Sequence, residues 1–171
     1  MRILVVYYSF TSTVESLARS IETHLARGHQ VTVTRIRPVR NRPYWQWLLL
    51  SFIPGCSVAI TGPPPNLDGF DRICLGFPKW TLSCPPLNRY LAMLPILPPE
   101  TSIGLFMGFG GFDEDRYLRE VTARVSRRGR LVASLAVKRK LAGTPESLSL
   151  VRQFCDALVD ARSPVTLKLT D

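Results

Sequence analysis

Side chains that carry acid–base or metal chemistry are scarce in this chain. It has two histidines, His24 and His29, and four cysteines, Cys56, Cys74, Cys84 and Cys155. Two histidines are too few for an ordinary zinc site, and no metal cluster, Ser-His-Asp set or Cys-His pair is evident. The cysteines show no C-x-x-C spacing and read as reduced thiols of a cytoplasmic protein. No apolar run approaches the roughly 20 residues of a membrane-spanning helix. The segment 3–8 is too short for the apolar part of a signal peptide and lacks a following cleavage site. No basic residue lies between Arg2 and Arg19, and the lysine of a nucleotide-triphosphate loop is missing there. Acidic residues are the minority, 13 against 22 Lys and Arg, a net charge of +9. That balance suits a partner of negative charge, or else a solvated basic surface. Nothing resembles a nucleic-acid module with interleaved aromatics. With so little acid–base machinery, any chemistry has to come from a cofactor.

What the chain does have is concentrated at its start. An apolar strand, residues 3–8, runs into a turn rich in hydroxyls: Ser9, Thr11, Ser12 and Thr13. Val14, Leu17, Ala18, Ile21 and Leu25 then recur at helical spacing, which predicts a helix over 13–27. Gly28 is the expected left-handed end of that helix. A strand, a polar elbow and a helix N-terminus together make an anion site, because the first helical N–H groups are unpaired and the dipole adds positive charge. Helix capping needs one such hydroxyl. Four in five positions point to a phosphate held by neutral donors.

Further along, residues 30–37 alternate and predict an edge strand that stops at Pro38. Strands are expected at 71–76, 102–107 and 130–137. Helices are expected at 86–94, at 113–127 with an acidic first turn, and at 145–161, where Thr144 is the N-cap and Pro145 the first helical residue. Gly129 is expected to close the 113–127 helix. Residues 38–66 form an aromatic and proline-rich insertion within one domain, 1–171. Tyr44, Trp45, Trp47, Leu48, Leu49, Leu50, Phe52 and Ile53 crowd into ten of its residues, too many for one buried helix face. A subunit contact making a homodimer is the preferred expectation for 44–53. The alternatives are a peripheral contact with an anionic membrane, an apolar substrate pocket, or a proline-kinked return to the core.

Val5-Val6-Tyr7-Tyr8-Ser9, Ser12, Thr13 and Ala18 match in spacing the phosphate loop of the flavodoxin-like family. Ser12 stands where Gly, Ala or Cys is usual there, and Val14 where Thr is usual. The second change removes a hydroxyl but no backbone N–H. The phrase Gly76-Phe77-Pro78-Lys79-Trp80 also resembles that family, whose third strand delivers a Gly-x-Pro-x-aromatic loop beside the flavin. The resemblance implies an α/β three-layer sandwich with a five-stranded parallel sheet in the order 2-1-3-4-5, and FMN across three strand-end loops.

Loop one (9–14) would hold the phosphate through Ser9, Thr11, Ser12, Thr13 and Val14. Loop two (77–84) would face the ring, with Trp80 as its wall, Lys79 placed against negative charge at the pyrimidine edge, and backbone donors from Lys79, Trp80, Thr81 and Leu82 beside Pro78. Loop three (108–112) would bring backbone close through Gly108, Phe109, Gly110 and Gly111. The implied function is an FMN-dependent oxidoreductase that takes hydride from NAD(P)H, or electrons from a protein donor, to a quinone-like or protein acceptor. A non-enzymatic electron-transfer flavodoxin and a flavin-free binding module are the alternatives.

Overall fold

The computed structural model describes residues 1–62, 67–111 and 113–170. In chain order its elements are β1 (Arg2–Tyr7), α1 (Ser12–Leu25), β2 (Gln30–Arg35), β3 (Arg37–Pro38), α2 (Tyr44–Ser51), β4 (Ile60–Thr61) and β5 (Arg72–Lys79). There follow α3 (Pro85–Met93), β6 (Ser102–Phe109), α4 (Glu114–Val125), β7 (Arg130–Lys138), α5 (Pro145–Asp160) and β8 (Val165–Leu169). The main sheet is wholly parallel, in the order β2-β1-β5-β6-β7-β8. Its first five strands follow the expected order 2-1-3-4-5. The expected five-stranded sheet is nonetheless six-stranded, because β8 adds beyond β7.

β8 escaped the sequence reading because it is short and half-solvated, with Val165 and Thr166 both exposed. Its alternation was the available signal. Backbone pairing to β7 holds it, together with Lys168, whose ammonium lies 2.6 Å from Glu114 and 2.9 Å from Asp115 at the start of α4.

β1 shows why the central strands read as solid apolar runs. Ile3, Val5 and Tyr7 belong to the core under α1 and α5, whereas Leu4, Val6 and Tyr8 belong to the core on the opposite face with α3 and α4. A strand covered on both sides has no polar face to show. α1 presents Val14, Leu17, Ala18, Ile21 and Leu25 inward, as its spacing predicts. Each fully buried aliphatic side chain of this kind stabilises the fold by roughly 1.5–3 kcal/mol.

Two helix ends differ from expectation. α1 stops at Leu25 and its C-cap Ala26 stays right-handed. The Gly28 amide donates to the Leu25 carbonyl at 3.2 Å, and Gly28 is not among the left-handed glycines. The turn is a tightened right-handed one, so glycine is not required there. Gly129 ends α4 for a different reason than handedness: a Cβ there would lie 3.0 Å from the Ile103 side chain and 3.1 Å from that of Leu97. α5 begins as expected, with Pro145 in its first turn and Thr144 accepting from the Ser147 amide. Its C-terminal carbonyls are met by arginines from the sheet: Arg72 Nε donates to Leu158 O at 2.9 Å, and Arg130 to Ala161 O at 2.6 Å.

The insertion is closed at its base by the antiparallel pair β3–β4, which the sequence reading lacked. Residues 63–66, its last stretch, lie outside the described residues. Within it, Trp47 and Ser51 turn inward and are buried. The Ser51 hydroxyl bonds Leu48 O and Thr81 Oγ1, both at 2.7 Å, and the Leu82 amide donates to Ser51 O at 3.0 Å. Farther on, Asn88 Nδ2 donates to Cys56 O at 2.7 Å, and Arg124 donates to Asn88 Oδ1. α2 is therefore tied to the loop after β5, and the tail of the insertion to α3 and α4.

Candidate functional site

The carboxyl ends of β1, β5 and β6 lie side by side, and a cleft opens between the segments that leave them. From the first come Thr11, Thr13 and Val14, from the second Pro78, Lys79 and Trp80, and from the third Gly108, Phe109, Gly110 and Gly111. Two further residues complete the lining, Tyr44 from α2 and Arg139 just after β7. The cleft encloses about 160 Å³. A larger hollow of about 640 Å³ lies between α1 and α5, where Arg19, Arg27 and Arg152 line it together with Ser12. It borders no strand end, and parallel α/β sheets of this order bind ligands at strand ends. The smaller cleft is the candidate site.

Loop one is built as an open helix terminus. Thr11 is the N-cap of α1 in extended conformation, and its side chain makes no capping bond. The first N–H groups of α1 are thus not satisfied by a cap. Ser9 is buried and turned away from this role: its hydroxyl donates to the Thr11 carbonyl. Its own carbonyl accepts from Arg35 at 2.8 Å, and the same guanidinium lies 3.3 Å from Glu15. Ser9 and Arg35 shape the loop from behind. Of the four hydroxyl residues expected to meet an anion, Thr11 and Thr13 line the cleft.

Loop two begins inside β5, since Pro78 and Lys79 are still strand residues. Pro78 is tolerated because the pairing of β1 with β5 ends at Tyr7 and Gly76, so beyond that point β5 is bonded to β6 alone. Trp80 is half-buried. Its ring lies 5.6 Å from Tyr8, 5.7 Å from Trp47 and 6.1 Å from Phe10, and the residue also lines the cleft. Burial pulls the Lys79 ammonium below its ordinary range, and the Asp113 carboxylate pulls the other way. Thr81 and Leu82 do not line the cleft, because the Thr81 hydroxyl and the Leu82 amide are spent on Ser51.

In loop three, Gly108 and Phe109 are likewise still strand. A Cβ on Gly108 would lie 2.9 Å from Thr13 Cγ2 and 3.2 Å from Val14 Cγ2, so the missing side chain lets loops one and three close together. Residue 112, the last of that expected loop, lies outside the described residues. Asp113 follows in left-handed conformation, φ 64°, as N-cap of α4, and its carboxylate pairs with Arg116. Tyr44 entered the sequence reading only within the 44–53 run, one of whose alternatives was an apolar pocket. Arg139 was missed, and carried no local signal beyond following a strand.

The residues present fit a phosphorylated, planar ligand. An uncapped helix terminus with two hydroxyls offers neutral donors to a phosphate. Lys79 and Arg139 supply positive charge, and Tyr44 and Trp80 supply flat walls. Among the described residues no cluster of three metal-ligating side chains occurs.

The architecture is that of the flavodoxins. A flavoprotein in complex with FMN from Lactobacillus acidophilus NCFM superposes with a TM-score of 0.66 at 12% identity, over 90% of this chain and 97% of that one. Flavodoxin 1 of Bacillus cereus gives 0.66 at 15% identity, over 94% and 98% of the two chains. Flavodoxin 2 of the same organism gives 0.66 at 17% identity, over 94% and 99%. Such low identities establish the fold alone. No known protein-family profile matches the sequence. An uncharacterised protein of Archaeoglobus fulgidus is 36% identical over 111 residues, 65% of this chain and 68% of that protein. The chain belongs to the family of that protein.

Proposed function

We propose that the cleft holds FMN and that the protein is an FMN-dependent oxidoreductase, carrying electrons or hydride from NAD(P)H or a protein donor to a quinone-like or protein acceptor. The observation that carries this reading is the uncapped N-terminus of α1, opening between three strand-end segments with no competing side-chain cap. FMN is also the ligand of the L. acidophilus flavoprotein, whose fold this chain shares. When bound, FMN supplies the electron chemistry. The chain's residues bind and orient it: Thr11, Thr13 and the amides of loop one the phosphate, Trp80 and Tyr44 the ring faces, and Gly108 to Gly111 the close approach of backbone. Lys79, partly stripped of water, favours an anion beside it.

A flavin-free binding module has one observation in its favour. The cleft volume of about 160 Å³ is below the roughly 300–1,000 Å³ of ordinary ligand pockets. Titrating the apo-protein with FMN, and with ATP as control, separates the two readings. Quenching of flavin fluorescence and retention of a yellow protein support the proposal. Failure to bind FMN, or ATP binding as tight as FMN, refutes it. NAD(P)H oxidation in the presence of a quinone then separates an enzyme from an electron carrier.

A further inference from the structure

Beside the cleft, the insertion exposes apolar surface that this domain does not cover. Trp45, Leu49, Phe52 and Ile53 each leave between 55% and 59% of their surface in water. Trp47 and Ser51 are the residues of α2 that turn fully inward, so the outer side chains have no core to enter. Scattered exposed hydrophobes need no explanation, but this set falls within ten residues and includes a tryptophan. The charge within the segment is of one sign. Between Glu22 and Asp68 the sequence contains no acidic residue, while Arg37, Arg40 and Arg42 lead into α2. Arg37 and Arg40 are exposed, and Arg42 lies over the Trp47 ring at 6.0 Å.

This combination decides among the possible occupants. A two-fold dimer would set the patch against its own copy. It would place Arg37, Arg40 and Arg42 of both protomers around one interface, with no carboxylate in the segment to meet them. A protein partner would have to present an apolar patch of its own, bordered by carboxylates placed to meet the arginines. A bilayer with anionic headgroups satisfies both features. Aromatic and aliphatic side chains enter the headgroup–acyl boundary, and guanidinium groups meet lipid phosphates. Each basic residue near such a surface strengthens attachment by roughly fivefold.

We propose that residues 37–53 are a docking surface for an anionic lipid bilayer, with Trp45, Leu49, Phe52 and Ile53 entering the interface and Arg37 and Arg40 contacting lipid phosphates. The attachment is peripheral, since no helix among the described residues is long and apolar enough to cross a membrane. It does not depend on whether the cleft binds flavin.

The test is co-sedimentation of the full chain with vesicles of phosphatidylcholine alone and of phosphatidylcholine with phosphatidylglycerol, alongside light scattering. The expected result is a monomer that pellets with the anionic vesicles, with binding weakened by salt and a blue shift of tryptophan emission. The double substitution W45E/L49E should reduce partitioning by about tenfold or more with an unchanged circular dichroism spectrum. Should that variant fail to fold, R37Q/R40Q serves instead, since both side chains are exposed, and should bind less tightly with a shallower salt dependence. The proposal is overturned if the wild type does not pellet with anionic vesicles, or if the folded variants pellet like the wild type. It is also overturned if the wild type is a dimer that W45E/L49E dissociates. Flavin content, measured separately on the same samples, reports on the cleft and leaves this result intact.

Discussion

Single residues at the cleft serve two masters. Trp80 packs against Tyr8, Phe10 and Trp47 and also lines the cleft, so its ring is held before any ligand arrives. Trp80→Ala is therefore expected to weaken FMN binding about 2- to 12-fold, the equivalent of the 0.5–1.5 kcal/mol that aromatic stacking is worth beyond buried area. A flavin fluorescence titration checks this, with a thermal melt to confirm folding. Unchanged affinity together with an unchanged flavin potential would remove Trp80 from the ring. Ser9 shows the reverse case. Its place in the motif suggested a phosphate donor, but its hydroxyl closes the loop on Thr11 O and its carbonyl is held by Arg35. A residue's type and spacing were legible here. Which way its hydroxyl points depends on the turn that brings the Thr11 carbonyl to it, and that was not.

Among the elements, β8 is the one most dependent on others, and its tie to α4 has a definite pH signature. The Lys168 ammonium holds the Glu114 carboxyl below the usual carboxylate range, and Glu114 with Asp115 raises Lys168 above the usual lysine range. A lowered carboxylate contributes stability above its unfolded pKa and loses it as pH falls through the folded value. A raised lysine contributes below its unfolded pKa and loses it as pH rises through the folded value. Lys168→Met should thus cost about 0.2–1 kcal/mol near neutrality, since the pair is partly exposed. The deficit against wild type should shrink in acid below the carboxylate range and in strong alkali. Denaturant unfolding across pH measures it, and a deficit that stays constant with pH would show that packing, not the ion pair, holds β8. At this scale α1, α5 and the central strands were readable from periodicity because burial repeats every 3.6 or every residue along them. β8 and the β3–β4 pair were not, because such short edge elements carry at most a half-buried face, as Leu167 and Leu169 do in β8, and are defined by their pairing partners.

Across the whole molecule, three of the four thiols report on global unfolding. Cys74, Cys84 and Cys155 are buried, and burial pushes Cys84 and Cys155 up to about 12 and Cys74 well above its usual value. The thiolate is the reactive form, so these three should resist a thiol reagent until the fold opens, leaving Cys56 to react first. Ellman titration under native conditions should count one fast thiol, and four in denaturant. More than one fast native thiol would mean that a core face opens locally. By itself the sequence determined the strand–helix alternation, the apolar faces of the main helices, the Thr144 cap and the likeness of loops one and two to a flavodoxin-like site. These are short-range properties, written in residues within a few positions of one another. The tertiary structure alone decided that Thr11 and Thr13 face the cleft while Ser9 and Ser12 do not. It also decided that Thr81 and Leu82 hold α2, and that Tyr44 and Arg139 reach the same opening. The reason is that residues as distant as 11 and 139 become neighbours only through the strand order, which places β1, β5, β6 and β7 side by side.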